Sequence, residues 1–245
     1  MKTTLIIPTY NESDNLPSLV TAIFSLPLPD FSILVIDDAS PDGTGQVADT
    51  LAEKSSGRLS VLHRSGKLGL GSAYLAGFQV AFNQGAQAIG QMDADFSHPP
   101  GKLLELSEAL KTCDLAMGSR YVPGGGVDER WPFWRKGLSA FGNFYARSIL
   151  QLPVYDATGG FRLWRRSALE ALPLDRIRAN GYSFLVELVY LASLKGLRIR
   201  ELPIYFADRR WGESKMSFHI QREAAVRVWT MKKDYRDIKV TRFEN

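Results

Sequence analysis

Short apolar runs alternate with segments whose apolar residues recur at helical spacing, and this alternation leaves few folds open to the chain. Residues 3–8 (TTLIIP), 32–36 (SILVI), 59–62 and 88–92 have the length and β-branched content of buried strands, while 15–26, 44–54 and 70–83 carry the helical period. Strand, helix and strand in repeated order make βαβ units and a largely parallel sheet. A further helix is predicted over 100–110, with Pro100 suited to a first turn, and a fifth strand over 115–118. Residues 121–137 (YVPGGGVDERWPFWRKG) break the pattern with glycine, aromatics and charge, as functional loops do. Beyond them the spacing predicts a helix over 138–150, a strand at FRLW (161–164), a helix over 182–194, strands at 198–201 and 204–206, and a basic amphipathic segment over 217–232. The expected fold class is α/β: a Rossmann-like, mostly parallel sheet flanked by helices, in one domain over 1–216, with 217–245 as a C-terminal amphipathic basic helix and tail.

The composition supports such a core, with 45% hydrophobic and 23% charged residues. Lys plus Arg (30) exceed Asp plus Glu (26), a mild basicity that suits a phosphate or a lipid headgroup and is too small to argue for nucleic acid. A single cysteine, Cys113, excludes an internal disulfide framework and a Cys-rich metal site. The opening MKTTLIIPTY is no signal peptide. The best apolar stretch, 183–194, is short and contains Glu187, so no transmembrane segment is expected.

In open α/β sheets, ligands bind beyond the carboxyl ends of the strands. Two strands here run into acid at that point: VIDDAS supplies Asp37 and Asp38, and QMDADFSHPP supplies Asp93 and Asp95. Neighbouring carboxylates repel, and a hard cation offsets the repulsion most simply. Mg2+ and Mn2+ take oxygen ligands and commonly complete their shell with substrate phosphates. Asp93-Ala94-Asp95 therefore reads as a clamp for a metal–diphosphate. Alone, Asp-x-Asp is a weak pattern that turns produce by chance. Its place after an apolar strand, with a second acidic strand end upstream, gives it weight.

Rival phosphate motifs fail on particular residues. A P-loop ends Gly-Lys-Ser/Thr, whereas Gly66-Lys67 is followed by Leu68. A dinucleotide fingerprint has a third glycine where this chain has Tyr74, after Gly69 and Gly71. Those glycines shape a loop before a helix, whose N-terminus can still face an anion. Phosphatases of the haloacid dehalogenase type carry Asp-x-Asp at the end of the first strand, where this chain has Pro8-Thr9-Tyr10.

PTYNE (8–12), VIDDASPDGTG (35–45), MDADFSHPP (92–100), GSRYVPGGGV (118–127), DATGGFR (156–162), GYSFLVEL (181–188) and DRRWGESKM (208–216) together resemble the polyprenol (dolichol) phosphate mannosyltransferases, inverting enzymes of GT-A glycosyltransferase family 2. The first three motifs are widespread among GT-A enzymes; DATGGFR with DRRWGESK points to transfer onto polyprenyl phosphate. The resemblance implies that Pro8, Tyr10, Glu12, Ile36 and Asp38 meet the nucleoside. It implies that Asp93, Ala94 and Asp95 border the sugar diphosphate, with Asp95 the main metal ligand, Ser97 an added hydroxyl ligand, and Mg2+ or Mn2+ the ion. Arg209 and Lys215 fall to the phosphates, and Asp93, Asp95 and Arg209 to catalysis. Arg120, Arg135, Ser139 and Asp156 are the candidates for the acceptor phosphate, with Arg130 and Lys136 nearby; Arg120 also borders the donor.

Simpler roles stand beside these. Pro8–Glu12 can merely turn the chain, with Asn11 or Ser13 capping a helix. Asp37 can be a turn residue. His98, one of only three histidines, lacks ligand spacing and reads as structural. Asp156 and Arg162 can pair and shape the acceptor site, or Arg162 can serve the fold alone. Glu187, on an apolar helix, needs a buried partner.

The activity implied by the resemblance is transfer of mannose from GDP-mannose to a polyprenyl (dolichyl) monophosphate, with inversion. Its partners are those substrates, a membrane surface and an anchoring subunit; its place is peripheral, on the cytoplasmic face of a membrane. Two stretches suit a bilayer surface: 131–137 (WPFWRKG), and 219–233 (HIQREAAVRVWTMKK), which a core-facing stripe explains equally well. The alternatives are a UDP-glucose-dependent polyprenyl-phosphate glucosyltransferase, a metal-dependent phosphohydrolase and a non-catalytic sugar-nucleotide sensor.

Overall fold

The structure, a computed structural model, describes residues 1–179, 181–208 and 218–238, with side chains in the last segment from residue 225. Its elements run Thr3–Thr9 (β1), Leu16–Phe24 (α1), Phe31–Asp37 (β2), Thr44–Lys54 (α2), Leu59–His63 (β3), Leu70–Asn83 (α3), Ala88–Gln91 (β4), Lys102–Ala109 (α4), Leu115–Ser119 (β5), Gly126–Val127 (β6), Phe133–Leu150 (α5), Arg162–Arg165 (β7), Arg166–Glu170 (α6), a 3-10 turn at Leu174–Arg176, Gly181–Leu194 (α7), Ile199–Pro203 (β8), Tyr205–Phe206 (β9) and Phe218–Asp234 (α8).

Seven strands form one sheet in the order β3-β2-β1-β4-β7-β5-β8, and β6 pairs with β9 beside it. All pairings are parallel except those of β7, which lies antiparallel between β4 and β5. Alternate residues of β1 enter opposite cores. Ile6 packs with Leu34, Tyr74 and Phe78 under α3, and Leu5 and Ile7 pack with Leu16, Leu19 and Leu103 under α1 and α4. Burial on both faces is what a parallel sheet requires, and it explains why these strands read as continuous apolar runs. α3 lies close against β1 because Gly77 lets it; a Cβ there would stand 2.8 Å from Ile6 Cγ2.

The α2 and α3 boundaries are those the spacing predicts. α5 starts five residues before the expected 138: Pro132 caps it by accepting from the amides of Arg135 and Lys136, and Phe133 and Trp134 form its first turn instead of ending the loop. α4 starts two residues late because 99–101 form a turn whose Pro99 carbonyl accepts from Lys102. Neither Asn11 nor Ser13 caps α1. Asn11 has a left-handed φ of 58°, and the amide of Ser13 donates to Asp42 Oδ2 at 3.1 Å.

Glu187 has the buried partners its setting demands: Arg227 at 2.8 Å, the Tyr235 hydroxyl at 2.7 Å and the amide of Ala179 at 3.0 Å. This network joins α7 to α8. Val228, Met231 and Tyr235 complete the joint by packing inward, while Val226 and Trp229 face outward. α8 thus packs a stripe on the fold and still presents an outer apolar face.

Candidate active site

β1, β2 and β4 end along one edge, with Thr9 in register with Asp37. Asp37 is engaged in its own turn. Its Oδ1 accepts from Thr9 Oγ1 at 3.2 Å and Ser40 Oγ at 2.5 Å, and its Oδ2 from the amide of Ser40 at 3.2 Å. Asp38 instead meets Arg64, with Nε 2.9 Å from its Oδ1, and accepts the Leu68 amide at 3.2 Å. Burial pushes its carboxyl above the ordinary carboxylate value, against the opposing pull of Arg64 and the amides of Leu68 and Gly69. Thr44 Oγ1 accepts the amide of Glu12 at 2.9 Å and donates to Asp42 at 2.6 Å, so the N-terminus of α2 holds the PTYNE segment in place. Lys67 sits over the Tyr10 ring, 4.3 Å from its centroid. Ile36 is fully buried in the core under α3, so it supports this edge from below and does not line it as the resemblance implied.

Beyond β4 the chain turns sharply, with Phe96 at φ 62°. Ser97 closes the turn by donating to Asp95 Oδ1 from its amide at 3.0 Å and its hydroxyl at 2.6 Å. Asp93 and Asp95 flank Ala94 at the mouth of this turn, and Asp95, Ala94 and Ser97 are buried while Asp93 reaches the surface. The Asp95–Ser97 donors are oxygens only, which fits a hard divalent ion and not a soft one. Among the described residues no three His, Cys, Asp or Glu converge on one point, so a cation here would draw its other ligands from phosphate and water. His98 is buried, its Nδ1 accepting the amide of Asp93 at 3.1 Å. Burial holds its ring below the ordinary histidine pKa although Asp93 and Asp95 pull upward, so it is neutral at physiological pH.

Across the edge, Arg120, directly after β5, and Asp156, in the segment that leads from α5 into β7, form a buried pair. Arg120 Nε donates to Asp156 Oδ2 at 2.7 Å and NH2 to Oδ1 at 2.8 Å, while the Arg120 amide donates to Oδ2 at 3.0 Å. Thr158 Oγ1 accepts a further bond from NH2 at 2.7 Å. Burial raises the Asp156 carboxyl, yet Arg120 wins and holds it below its ordinary value. The partner of Asp156 is therefore Arg120 and not Arg162. Arg162 donates to the carbonyls of Leu185 at 2.8 Å and Ala157 at 3.1 Å, and burial pushes its pKa down to about 10. It serves the fold.

Arg135 pairs with Asp208 at 3.2 Å and lies 3.7 Å over the Trp131 ring, whose Nε1 also donates to Asp208 at 3.2 Å. Ser139 Oγ meets the Tyr121 hydroxyl at 2.9 Å. The Arg120 guanidinium lies 5.2 Å from the Tyr121 ring centroid and 5.3 Å from that of Phe206, whose ring meets Trp131 at 5.7 Å, so a chain of contacts joins Ser139, Tyr121, Arg120, Trp131 and Arg135. Arg130 is turned to Asp128 at 2.7 Å, and Lys136 to the carbonyl of Glu129 at 3.0 Å. Trp131, expected on a bilayer surface, is only 7% exposed, because its indole anchors Asp208 and packs on Phe206. Phe133 and Trp134, 92% and 70% exposed, are the aromatics that face outward.

Sequence reasoning passed over Arg64, Tyr121 and Asp208. Arg64 directly follows β3, the neighbour of β2, so the rule that picked out Asp38 at a strand end would have found it. Asp208 and Tyr121 each stood within a quoted motif, DRRWGESKM and GSRYVPGGGV. Arg209 and Lys215 lie outside the described residues.

The site thus sits on a parallel sheet interrupted by one antiparallel strand, with an acidic turn and a buried arginine–aspartate pair at its carboxyl edge. Residues 4–172 match the family described as glycosyl transferase family 2, and the chain belongs to that family. It is 45% identical over 228 residues to a polyprenol monophosphomannose synthase of Mycolicibacterium smegmatis, covering 93% of this chain and 85% of the relative. It is 46% identical, over 93% of both chains, to an undecaprenyl-phosphate mannosyltransferase of Micrococcus luteus. Its fold is that of a Pyrobaculum calidifontis mannosyltransferase solved with GDP-Man and Mn2+, with a TM-score of 0.63 at 19% identity over 98% of this chain and 66% of the other.

Proposed function

We propose that this chain transfers mannose from GDP-mannose to a polyprenyl monophosphate, inverting the anomeric centre. The observation that carries the proposal is one juxtaposition: β7 runs antiparallel between β4 and β5, so the Asp93–Ser97 turn and Arg120 leave the sheet at the same edge, where His98 and Arg120 meet one Phe206 ring. An acidic turn suits a cation-bound diphosphate; arginine and hydroxyl donors beside an apolar helix face suit a phosphate on a long hydrocarbon. Both relatives at 45–46% identity are named for mannosyl transfer to polyprenyl carriers, which supports mannose over glucose.

In this scheme Tyr10, Glu12 and Asp38 receive the nucleoside, with Arg64 and the Leu68 amide fixing Asp38. Asp95, closed by Ser97, together with Asp93, would hold Mg2+ or Mn2+ on the donor diphosphate. When bound, the ion supplies charge stabilisation for the departing GDP. Arg135 and Ser139 receive the acceptor phosphate, with Arg120 held beside them by Asp156; Arg209 and Lys215 are assigned to the phosphates. A phosphate monoester loses its second proton near pH ~6, so the acceptor oxygen arrives nucleophilic. It forms the new bond to the anomeric carbon from the face opposite the diphosphate. The old bond's electrons leave with GDP, and no protein base has to take a proton. Residues 1–216 form the catalytic unit, and 217–245 its basic helix and tail.

Among the described residues no helix is long and apolar enough to cross a membrane. Phe133, Trp134, Phe141 and Phe144 of α5 are exposed, and Trp229 of α8 joins this face through a 2.9 Å bond from its indole to the Tyr145 hydroxyl. We assign this face to the surface of the bilayer that carries the acceptor, with the protein peripheral to it. Incubating the protein with Mn2+, labelled GDP-mannose and polyprenyl phosphate in anionic vesicles should give labelled lipid. Preference for UDP-glucose, or phosphate release without lipid product, would overturn the proposal.

A further inference from the structure

His98 is 1% exposed, yet it is a polar ring beside the acidic turn, and the chemistry above gives it no task. Its Nδ1 accepts the main-chain N–H of Asp93 at 3.1 Å. A nitrogen that accepts carries no proton, so the neutral ring bears its hydrogen on Nε2. That nitrogen lies 3.9 Å from Asp93 Oδ2. The ring stacks on Phe161 at 5.1 Å with planes 13° apart, and meets the edge of Phe206 at 5.5 Å. A Cβ on Gly160 would come within 3.4 Å of His98 Cε1 and 3.6 Å of Asp93 Oδ1, so the DATGGFR segment closes directly over both. One ring therefore touches the first carboxylate of the donor turn, the segment that carries Asp156, and β9 just before Asp208.

We propose that His98 is a positioning residue: by accepting the Asp93 amide it fixes the donor turn against the acceptor wall formed by Gly160, Phe161 and Phe206. It binds no ligand itself. A ring kept only for packing would do as well with no nitrogen, whereas a positioning ring needs an acceptor at the Nδ1 place. This inference rests on the donor reading of the Asp93–Ser97 turn.

The experiment compares His98→Phe, which keeps an aromatic ring in the stack, with His98→Asn, whose Oδ1 can stand where Nδ1 stands. For His98→Phe the expected result is a fall in kcat of about tenfold or more. The Mn2+ concentration for half-maximal rate should rise while the KM for polyprenyl phosphate stays within about twofold. His98→Asn should recover most of the rate. Wild-type kcat and Mn2+ dependence in His98→Phe would overturn the inference. If Asp95→Ala abolishes turnover while His98→Phe does not, only the role of His98 fails; if Asp95→Ala is active, the donor reading itself fails. Should His98→Phe not fold, 15N spectra of histidine-labelled wild-type protein, free of metal and nucleotide, decide. An unprotonated Nδ1 and a protonated Nε2 are expected, and a protonated Nδ1 would refute the inference.

Discussion

The two halves of the proposed catalytic edge, donor and acceptor, are built by different means. On the donor side, acidic residues follow directly from parallel strands, and hydroxyls or amides one to three residues away hold two of them: Ser40 for Asp37, Ser97 for Asp95. On the acceptor side the key contacts span long stretches of chain: Arg120 to Asp156 across 36 residues, and Arg135 to Asp208 across 73. Local turns thus hold Asp37 and Asp95, although Asp38 leans on Arg64 and the Leu68 amide, and His98 ties the acidic turn to Phe161 and Phe206. The acceptor side stands or falls with the tertiary fold, because these contacts are long-range and the Arg120–Asp156 charges are buried as a pair. Loss of a donor residue should therefore cost chemistry, and loss of an acceptor-side partner should cost stability as well.

The largest expected effect lies in the Arg120–Asp156 pair. Asp156→Leu leaves a buried guanidinium without its carboxylate and should destabilise by about 3–5 kcal/mol, read from urea midpoints. The double variant Asp156→Leu/Arg120→Met should cost less than the sum of the two singles, since it removes both charges together. The pair also sets an acid limit. Asp156 titrates below its ordinary value in the folded state, so its stabilisation is complete above the unfolded carboxylate pKa of ~3.9 and is lost as pH falls below it. The urea midpoint of the wild type should fall through that window, and that part of the fall should be missing in Asp156→Leu.

Next comes Asp95→Ala. Turnover should fall at least about 10²–10³-fold, while stability changes by about 1 kcal/mol, the worth of its bonds to Ser97. A loss of stability as large as that of the Asp156 variant would erase the contrast between the halves. A smaller effect is expected from Phe133→Ser/Trp134→Ser. With vesicle-borne acceptor the rate should drop about tenfold, equivalent to about 1.4 kcal/mol of lost surface binding, and with a short water-soluble polyprenyl phosphate it should hold. Equal losses with both acceptors would remove the bilayer from the account. Ser139→Ala should do least, raising the acceptor KM by a few-fold, in line with one hydrogen bond worth about 1 kcal/mol.

The same contrast decided what could be seen in the sequence. Parallel strands buried on both faces leave apolar runs, and local turns leave Asp-x-Asp and Asp-Asp at their ends, so β1 to β4 and the place of these carboxylates at strand ends were legible. The antiparallel entry of β7 left no trace, because a strand of four residues, RLWR, reads alike in either direction. The true partner of Asp156 was hidden for a related reason: Arg162 is near in sequence, but β7 turns it into the core beneath Leu185. α5 was read too short because Phe133 and Trp134 face outward, and periodicity registers only what a helix buries. The same two side chains misassigned Trp131, whose indole is held inside by Asp208.

The account stands on a divalent ion at Asp95 that tethers the donor diphosphate. Calorimetric titration of GDP into the wild type and Asp95→Ala, each with Mn2+ and with chelator, examines that tether without needing an acceptor or a membrane. Mn2+ should tighten GDP binding to the wild type at least about tenfold and leave Asp95→Ala nearly unchanged. Equal enhancement by Mn2+ in both proteins would place the ion elsewhere and contradict the account.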